Sequence, residues 1–283
     1  MLPSPWGTVD FRRAARDTGP FVLLVASGKG GVGTSMIATL TALSASERGQ
    51  RVLLVDATES GGTLHHLFGV RPEHSLWTLS DLRTPIEEAL IALDDRLTLV
   101  AGGSSGAAIV PETDEIRRAA LMRVAQVYSQ YSLVVIDGGS RLDTISAISD
   151  LADPSTLLVT SADRLALAAN YALIKSMNTR RANANISVLV NRHGEAVAAD
   201  AANFLLGACS HFLGRTIDVA GTIPDDPSLL AAVGAGMSVR DAVEGSPAAD
   251  AVRGVLTQVL PSWPTAPRPA AMSGLSPSSR RWS

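Results

Sequence analysis

Short runs of consecutive apolar residues alternate along this chain with longer stretches in which apolar positions recur every three or four residues. The runs FVLLVA, RVLLVD, SLVVID and ISVLV have almost no polar alternation. A strand of that kind is covered on both faces, as in a parallel sheet. The pattern predicts strands over 21–26, 51–56, 97–101, 133–137, 156–160, 186–191 and about 216–220. Helical spacing between them predicts helices that include 35–48, 113–128, 165–178 and 196–212. Strand–helix alternation throughout predicts an α/β fold, a single doubly wound domain with a mostly parallel sheet over residues 20–260. Residues 1–19 are polar and read as a flexible N-terminal segment. Residues 261–283, PSWPTAPRPAAMSGLSPSSRRWS, are rich in Pro, Ser and Ala and read as a disordered tail.

The first strand runs straight into Ser27-Gly28-Lys29-Gly30-Gly31-Val32-Gly33-Thr34-Ser35. A phosphate-binding loop reads G-x-x-x-x-G-K-[ST] between a strand and a helix. Its backbone N–H groups and the positive end of the helix dipole then face an anion. Gly28 and Gly33 hold the glycine positions and Ser35 the hydroxyl, but Thr34 stands where the lysine belongs. Threonine is too short, and uncharged, to bridge the β- and γ-phosphates. Losing one charge-assisted hydrogen bond costs roughly 1.5–3 kcal/mol, about ten- to hundredfold in affinity. Lys29 points the other way. The chain has 22 arginines and only two lysines, Lys29 and Lys175, so a lysine kept inside this loop indicates a need for a compact ammonium. Asp56 and Asp137 close their strands at the carboxyl edge, where ligands bind in open α/β sheets and where aspartates also start turns.

The order Lys29-Gly30-Gly31-Val32-Gly33-x-Ser35 resembles the deviant Walker A loop of the MinD/ParA family of P-loop ATPases, and the resemblance spans about residues 21–260. RVLLVDA looks like the second strand, with Asp56 as the first acid of a D-x-D. LVVIDGG resembles the Walker B strand, ending in Asp137. Leu189-Val190-Asn191 and the segment from Gly221 to Asp226 look like adenine-side segments. Tyr171-Ala172-Leu173-Ile174-Lys175 is similar to the branch that regulates flagellar number, the FlhG/FleN type. The resemblance implies a P-loop NTPase fold of the SIMIBI type and ATP or ADP with Mg²⁺ as ligands. Backbone amides of Gly30, Gly31, Val32, Gly33, Thr34 and Ser35 would cradle the phosphates beside Gly28. Lys29 would cross a dimer interface to the partner's nucleotide. Ser35 would ligate Mg²⁺, with Asp56 and Asp137 at the metal, and Asn191, Pro224 and Asp225 would contact adenine. Homodimerisation through the nucleotide face is implied as well.

Two departures limit that inheritance. The family pattern runs without a gap through Gly49 to Asp56 only if Thr34 replaces the lysine, so it is read as a substitution rather than a deletion. Thr58 stands where the family's second acid positions the attacking water, and a hydroxyl cannot serve as that base. Removing such a group costs about 10²–10⁴-fold in rate. Together the changes predict a pseudo-ATPase that binds nucleotide weakly and hydrolyses it slowly if at all. The expected function is regulation of flagellar number, flagellar placement or polar assembly through protein contacts, with a flagellar or polar-assembly protein or a transcription regulator as partner. Two alternatives stay open: a slow but genuine Mg-ATPase switch using Lys29, Ser35 and Asp137 with an acid such as Glu59 near the water, and a scaffold for pilus or secretion machinery that binds no nucleotide.

Composition narrows the field further. A net charge of −3 and a pI near 6.0 argue against direct nucleic-acid binding. The prolines at 261, 264, 267 and 269 interrupt the region where relatives carry a membrane helix, and no apolar run approaches about 20 residues, so no autonomous membrane anchor is expected. A cytoplasmic protein, recruited to a cell pole in the flagellar reading, fits best. Cys209, the single cysteine, is expected to be buried. His65 and His66 are adjacent, hence a poor metal pair, and are expected to face solvent or a partner.

Overall fold

The computed structural model describes residues 19–59, 62–103, 111 and 113–259. The expected tail and all but Gly19 of the expected N-terminal segment lie outside these residues. Eight strands form one sheet: β1 (Phe21–Ala26), β2 (Val52–Asp56), β3 (Ile91–Ala92), β4 (Leu97–Val100), β5 (Leu133–Gly139), β6 (Ser155–Thr160), β7 (Ile186–Asn191) and β8 (Asp218–Ile223). Their order is β3-β4-β2-β5-β1-β6-β7-β8. All neighbouring pairs are parallel except β3 with β4. The chain builds β2 and β4 on one side of β1 and β6 to β8 on the other, which opens a crevice above the carboxyl ends of the central strands.

The apolar runs behave as their pattern requires. Every residue of β2, β6 and β7 is buried. Alternate side chains of β1 enter opposite cores: Leu24 and Ala26 meet one cluster, Phe21, Leu23 and Val25 the other. Helices α1 (Thr34–Glu47) and α9 (Pro247–Val259) cover the second face, with α7 (Pro227–Gly234) and α8 (Val239–Ala242) beside them. Helices α3 (Asp114–Ala125), α4 (Leu142–Ala152), α5 (Arg164–Arg180) and α6 (Glu195–Leu213) cover the first, together with the fully buried Trp77. The short helix α2 (Leu64–Leu67) follows β2.

Three sequence expectations need adjustment. The last strand lies two to three residues later than expected, because Gly221, at φ 146°, carries a register shift that lets the ladder run on to Ile223. The glycine reads as a turn in sequence but is accommodated inside the strand. Strand β3 was not expected; two residues are too few to show alternation. Helix α6, at 19 residues and a mean hydropathy of 1.3, has the length and composition of a membrane span. Its Ala198, Ala201, Ala202, Leu205 and Cys209 are buried against the body, while Phe204 and Phe212 are exposed.

Where β8 ends, Asp226 ties two helices to the sheet edge. Its carboxylate caps α7 by accepting from Leu229 N at 2.9 Å, and accepts from Ser246 Oγ at 2.6 Å and Ala248 N at 3.3 Å at the start of α9. Asp226→Ala removes a cap and strands the buried Ser246 hydroxyl, an expected loss of about 2 kcal/mol. Urea unfolding should show it as a lower midpoint with an unchanged slope.

Candidate functional site

The loop after β1 is held from three sides. Gly28 N–H donates to Asn170 Oδ1 of α5 at 3.0 Å, and a Cβ at Gly28 would lie 2.2 Å from the Ala169 carbonyl oxygen. Only glycine lets the loop approach α5 so closely. Ser27 N–H donates to Gly139 O at 2.9 Å, which joins the loop to the end of β5. Asn191, closing β7, donates from Nδ2 to Val32 O at 2.8 Å, and a Cβ at Gly33 would meet that Nδ2 at 2.3 Å. Gly33 also sits at φ 98°, a left-handed conformation that favours glycine.

This path leaves a row of unpaired donors. The first bond into α1 is Ile37 N to Gly33 O at 3.0 Å. The N–H groups from Gly30 to Met36 precede that ladder and have no acceptor among the described residues. Such a row at the positive end of a 14-residue helix suits an anion carrying several oxygens. Thr34 is the first residue of α1 and is buried, so its hydroxyl offers no reach toward that anion. Beside the loop, Gly33, Met36, Ile37, Asn191, Pro224 and Asp225 line an open, shallow cleft. The phosphate and adenine residues expected from sequence therefore share one edge of the sheet.

Lys29 reaches sideways. Its Nζ lies 3.2 Å from Asp163 Oδ1, at the cap of α5. Hydrogen bonds from the Ser161 hydroxyl and the Ala166 N–H, with a smaller contribution from Lys29, hold the Asp163 carboxyl down to about 2. Both partners are about two-fifths exposed, so the pair stabilises the fold by at most about 1 kcal/mol and exchanges readily.

Asp56 and Asp137 face each other across the β2–β5 ladder, and both are fully buried. They have different partners. Asp56 Oδ1 accepts from Thr58 N at 3.0 Å and Thr58 Oγ1 at 2.5 Å; Oδ2 accepts from Thr63 N at 2.9 Å and Leu64 N at 3.1 Å. Four donors fill its acceptor sites, so Asp56, expected at the metal, serves here to shape the loop into α2. Asp137 Oδ1 accepts from Gly139 N at 3.1 Å, while Oδ2 is buried with no hydrogen bond. Burial, then the neighbouring Asp56 charge, raises the Asp137 carboxyl above the usual carboxylate range, against the Ser35 hydroxyl and the Gly139 N–H. An orphaned carboxylate oxygen beside the Ser35 hydroxyl is the donor chemistry a hydrated Mg²⁺ accepts. Ser35 and Asp137 thus fit a cation held together with a phosphate. Among the described residues no three His, Cys, Asp or Glu side chains converge as a metal site of their own.

Glu59 is not free to position water. Its carboxylate turns into the body and is buried. Oε1 accepts from Arg117 Nε at 2.7 Å and from the Thr144 hydroxyl, and Oε2 lies 3.0 Å from Arg141 Nε. Arg117 also meets Asp114 Oδ1 at 3.0 Å. Burial raises the Glu59 carboxyl, but the Arg117 and Thr144 hydrogen bonds and the Arg117 and Arg141 charges outweigh it and hold it below its usual range. Trp77 Nε1 donates to Thr58 O at 3.4 Å, a further tie on the same segment. Sequence reasoning found none of Arg117, Arg141, Thr144, Asp163 or Asn170; these partners lie 58 to 142 residues from the groups they meet, and no local spacing connects them. His65 also departs from expectation: it is buried, its Nδ1 has no hydrogen bond, and burial with the His66 charge lowers its pKa, whereas His66 is exposed. Cys209 is buried as expected, and burial pushes its thiol up.

A glycine-rich strand–helix loop with free amides, at the carboxyl edge of a parallel sheet and beside a buried aspartate, defines a P-loop nucleotide-binding protein. The family model described as "ParA: NUBPL iron-transfer P-loop NTPase" matches residues 20–260, and the chain belongs to this ParA/MinD family. It is 25% identical over 249 residues to the antiactivator FleN of Pseudomonas aeruginosa, covering 88% of this chain and 89% of that protein. A stretch of 49 residues is 49% identical to an iron–sulfur cluster carrier protein of Rickettsia bellii, covering 17% of this chain and 15% of that one. The fold is that of the septum site-determining protein MinD of Pyrococcus horikoshii, solved with Mg-ADP, at a TM-score of 0.66 and 20% identity over 85% of this chain and 96% of that one.

Glu59→Gln leaves the buried Arg117 guanidinium short of a counter-charge, and should cost about 3 kcal/mol at pH 7. Because the folded Glu59 carboxyl lies below its ordinary 4.5, the wild type's advantage is complete above that pH. It falls away as the pH drops through the lower folded value. Urea unfolding of both proteins at pH 7 and pH 3.5 checks the magnitude and the sign.

Proposed function

We propose that this chain is a MinD/ParA-type regulator that binds ATP or ADP with Mg²⁺ weakly, hydrolyses it poorly, and acts through protein contacts. The observation that carries this reading is the fate of two threonines. Thr34 is buried in the first turn of α1, and the Thr58 hydroxyl is spent on Asp56 at 2.5 Å. The first leaves a phosphate cradle of backbone amides without its lysine. The second leaves no free carboxylate in the loop after β2, since Glu59, the nearest acid, is engaged by Arg117, Thr144 and Arg141.

The remaining roles follow from position. The Gly30 to Ser35 amides hold the phosphate oxygens, and the cleft at Asn191, Pro224 and Asp225 takes the base. Ser35 and Asp137 hold Mg²⁺, which when bound screens the phosphate charge. Likeness to FleN over most of both chains supports regulation of flagellar number or placement as the process, with polar assembly as its wider setting. Iron–sulfur carriage, suggested by the family description and the short match, has no support in the thiols: Cys209 is the only one in the chain, and it is buried in α6.

Calorimetric titration with Mg-ATP should give weak binding for the wild type. Thr34→Lys should tighten it about ten- to hundredfold, the worth of one charge-assisted hydrogen bond. Silence from both proteins would overturn the reading and favour a scaffold. In a coupled phosphate-release assay, Thr34→Lys with Thr58→Asp should turn over ATP at least about 10²-fold faster than the wild type. Brisk turnover by the wild type, lost in Ser35→Ala, would instead identify a working ATPase switch.

A further inference from the structure

The positive charge that Thr34 lacks has a source on the opposite flank of the loop. Gly139 joins the phosphate loop through its carbonyl, which accepts from Ser27 N–H at 2.9 Å. Ser140 follows, and its Oγ lies 3.7 Å from where a Gly30 Cβ would be. On its other side this turn meets the segment after β2, for a Cβ at Gly139 would lie 3.1 Å from Thr58 Cγ2. Arg141 leaves the turn where these two loops converge.

Its side chain is 56% exposed. Nε lies 3.0 Å from Glu59 Oε2 without the alignment of a hydrogen bond. Glu59 is anchored by Arg117 and Thr144, so one edge of the Arg141 guanidinium rests on a fixed carboxylate while the other is open. Lysine could not divide its contacts in this way; the planar fork of arginine can. Lys29, the other cation beside the loop, is turned toward Asp163 at the α5 end.

We propose that Arg141 is a phosphate-binding residue that supplies, within the same chain, the cation missing at Thr34. This inference rests on the reading of the loop as a nucleotide site. The expected contact is the terminal phosphate of a nucleoside triphosphate. The cleft that suits the base lies at the ends of β7 and β8, so a phosphate chain along the loop runs from there toward β5, and Arg141 stands at its far end. A diphosphate stops short of it.

The test is calorimetric titration of the full chain with Mg-ATP and Mg-ADP, using wild type, Arg141→Ala, and Arg141→Ala combined with Thr34→Lys. Arg141→Ala should weaken ATP about ten- to hundredfold while changing ADP by less than about threefold. The added lysine should restore ATP affinity to at least that of the wild type. If Arg141→Ala does not fold, as judged by near-ultraviolet circular dichroism, Arg141→Gln keeps the stem and is read in the same way. Unchanged ATP affinity, or an equal loss for ATP and ADP, overturns the proposal and leaves the nucleotide site standing. Failure of the wild type to bind either nucleotide overturns both.

Discussion

The placement of β5 between β1 and β2 is the constraint on which the rest of this molecule depends. Parallel pairing on both sides of β5 sets Asp137 opposite Asp56 and brings Gly139 against the base of the phosphate loop. Because both faces of these strands are covered, the two carboxylates lie in a medium that opposes charge. Every local feature of the site is a response to that situation.

The two aspartates answer it differently. Asp56 collects four donors from the turn it starts, and the turn is shaped by them. Asp137 collects one on Oδ1 and keeps a buried oxygen unsatisfied. An orphaned acceptor of this kind is a cost that a fold carries where a ligand completes the group. Shape and function are thus divided between neighbouring residues of the same type, and the division follows from which strand ends in a turn rich in N–H donors.

Around this pair the charged side chains form closed accounts on one chain. Lys29 meets Asp163, Arg117 meets Glu59 and Asp114, and Arg141 rests beside Glu59. The Lys29 pair is exposed and weak, whereas Arg117 and Glu59 are buried together and hold the segment after β2 against α3 and α4. A loop fixed by a buried ion pair, by Asp56 and by Trp77 has few ways to rearrange. That rigidity agrees with the proposed reading, in which this segment contributes no acid to hydrolysis.

By itself the sequence determined the α/β class, seven of the eight strands within a few residues, and the glycine-rich loop between the first strand and the first helix. The physical reason is that these depend on local signals: continuous apolar runs, helical spacing, and glycines at fixed offsets. It also set Thr34 and Thr58 where the family resemblance expects charged residues, since such a departure is visible wherever a motif is. Tertiary structure alone decided what those residues face. That Glu59 turns inward, that Asp56 is saturated while Asp137 is not, and that Arg141 arrives beside Glu59 all depend on strand order. Strand order joins segments about eighty residues apart, where no spacing rule reaches.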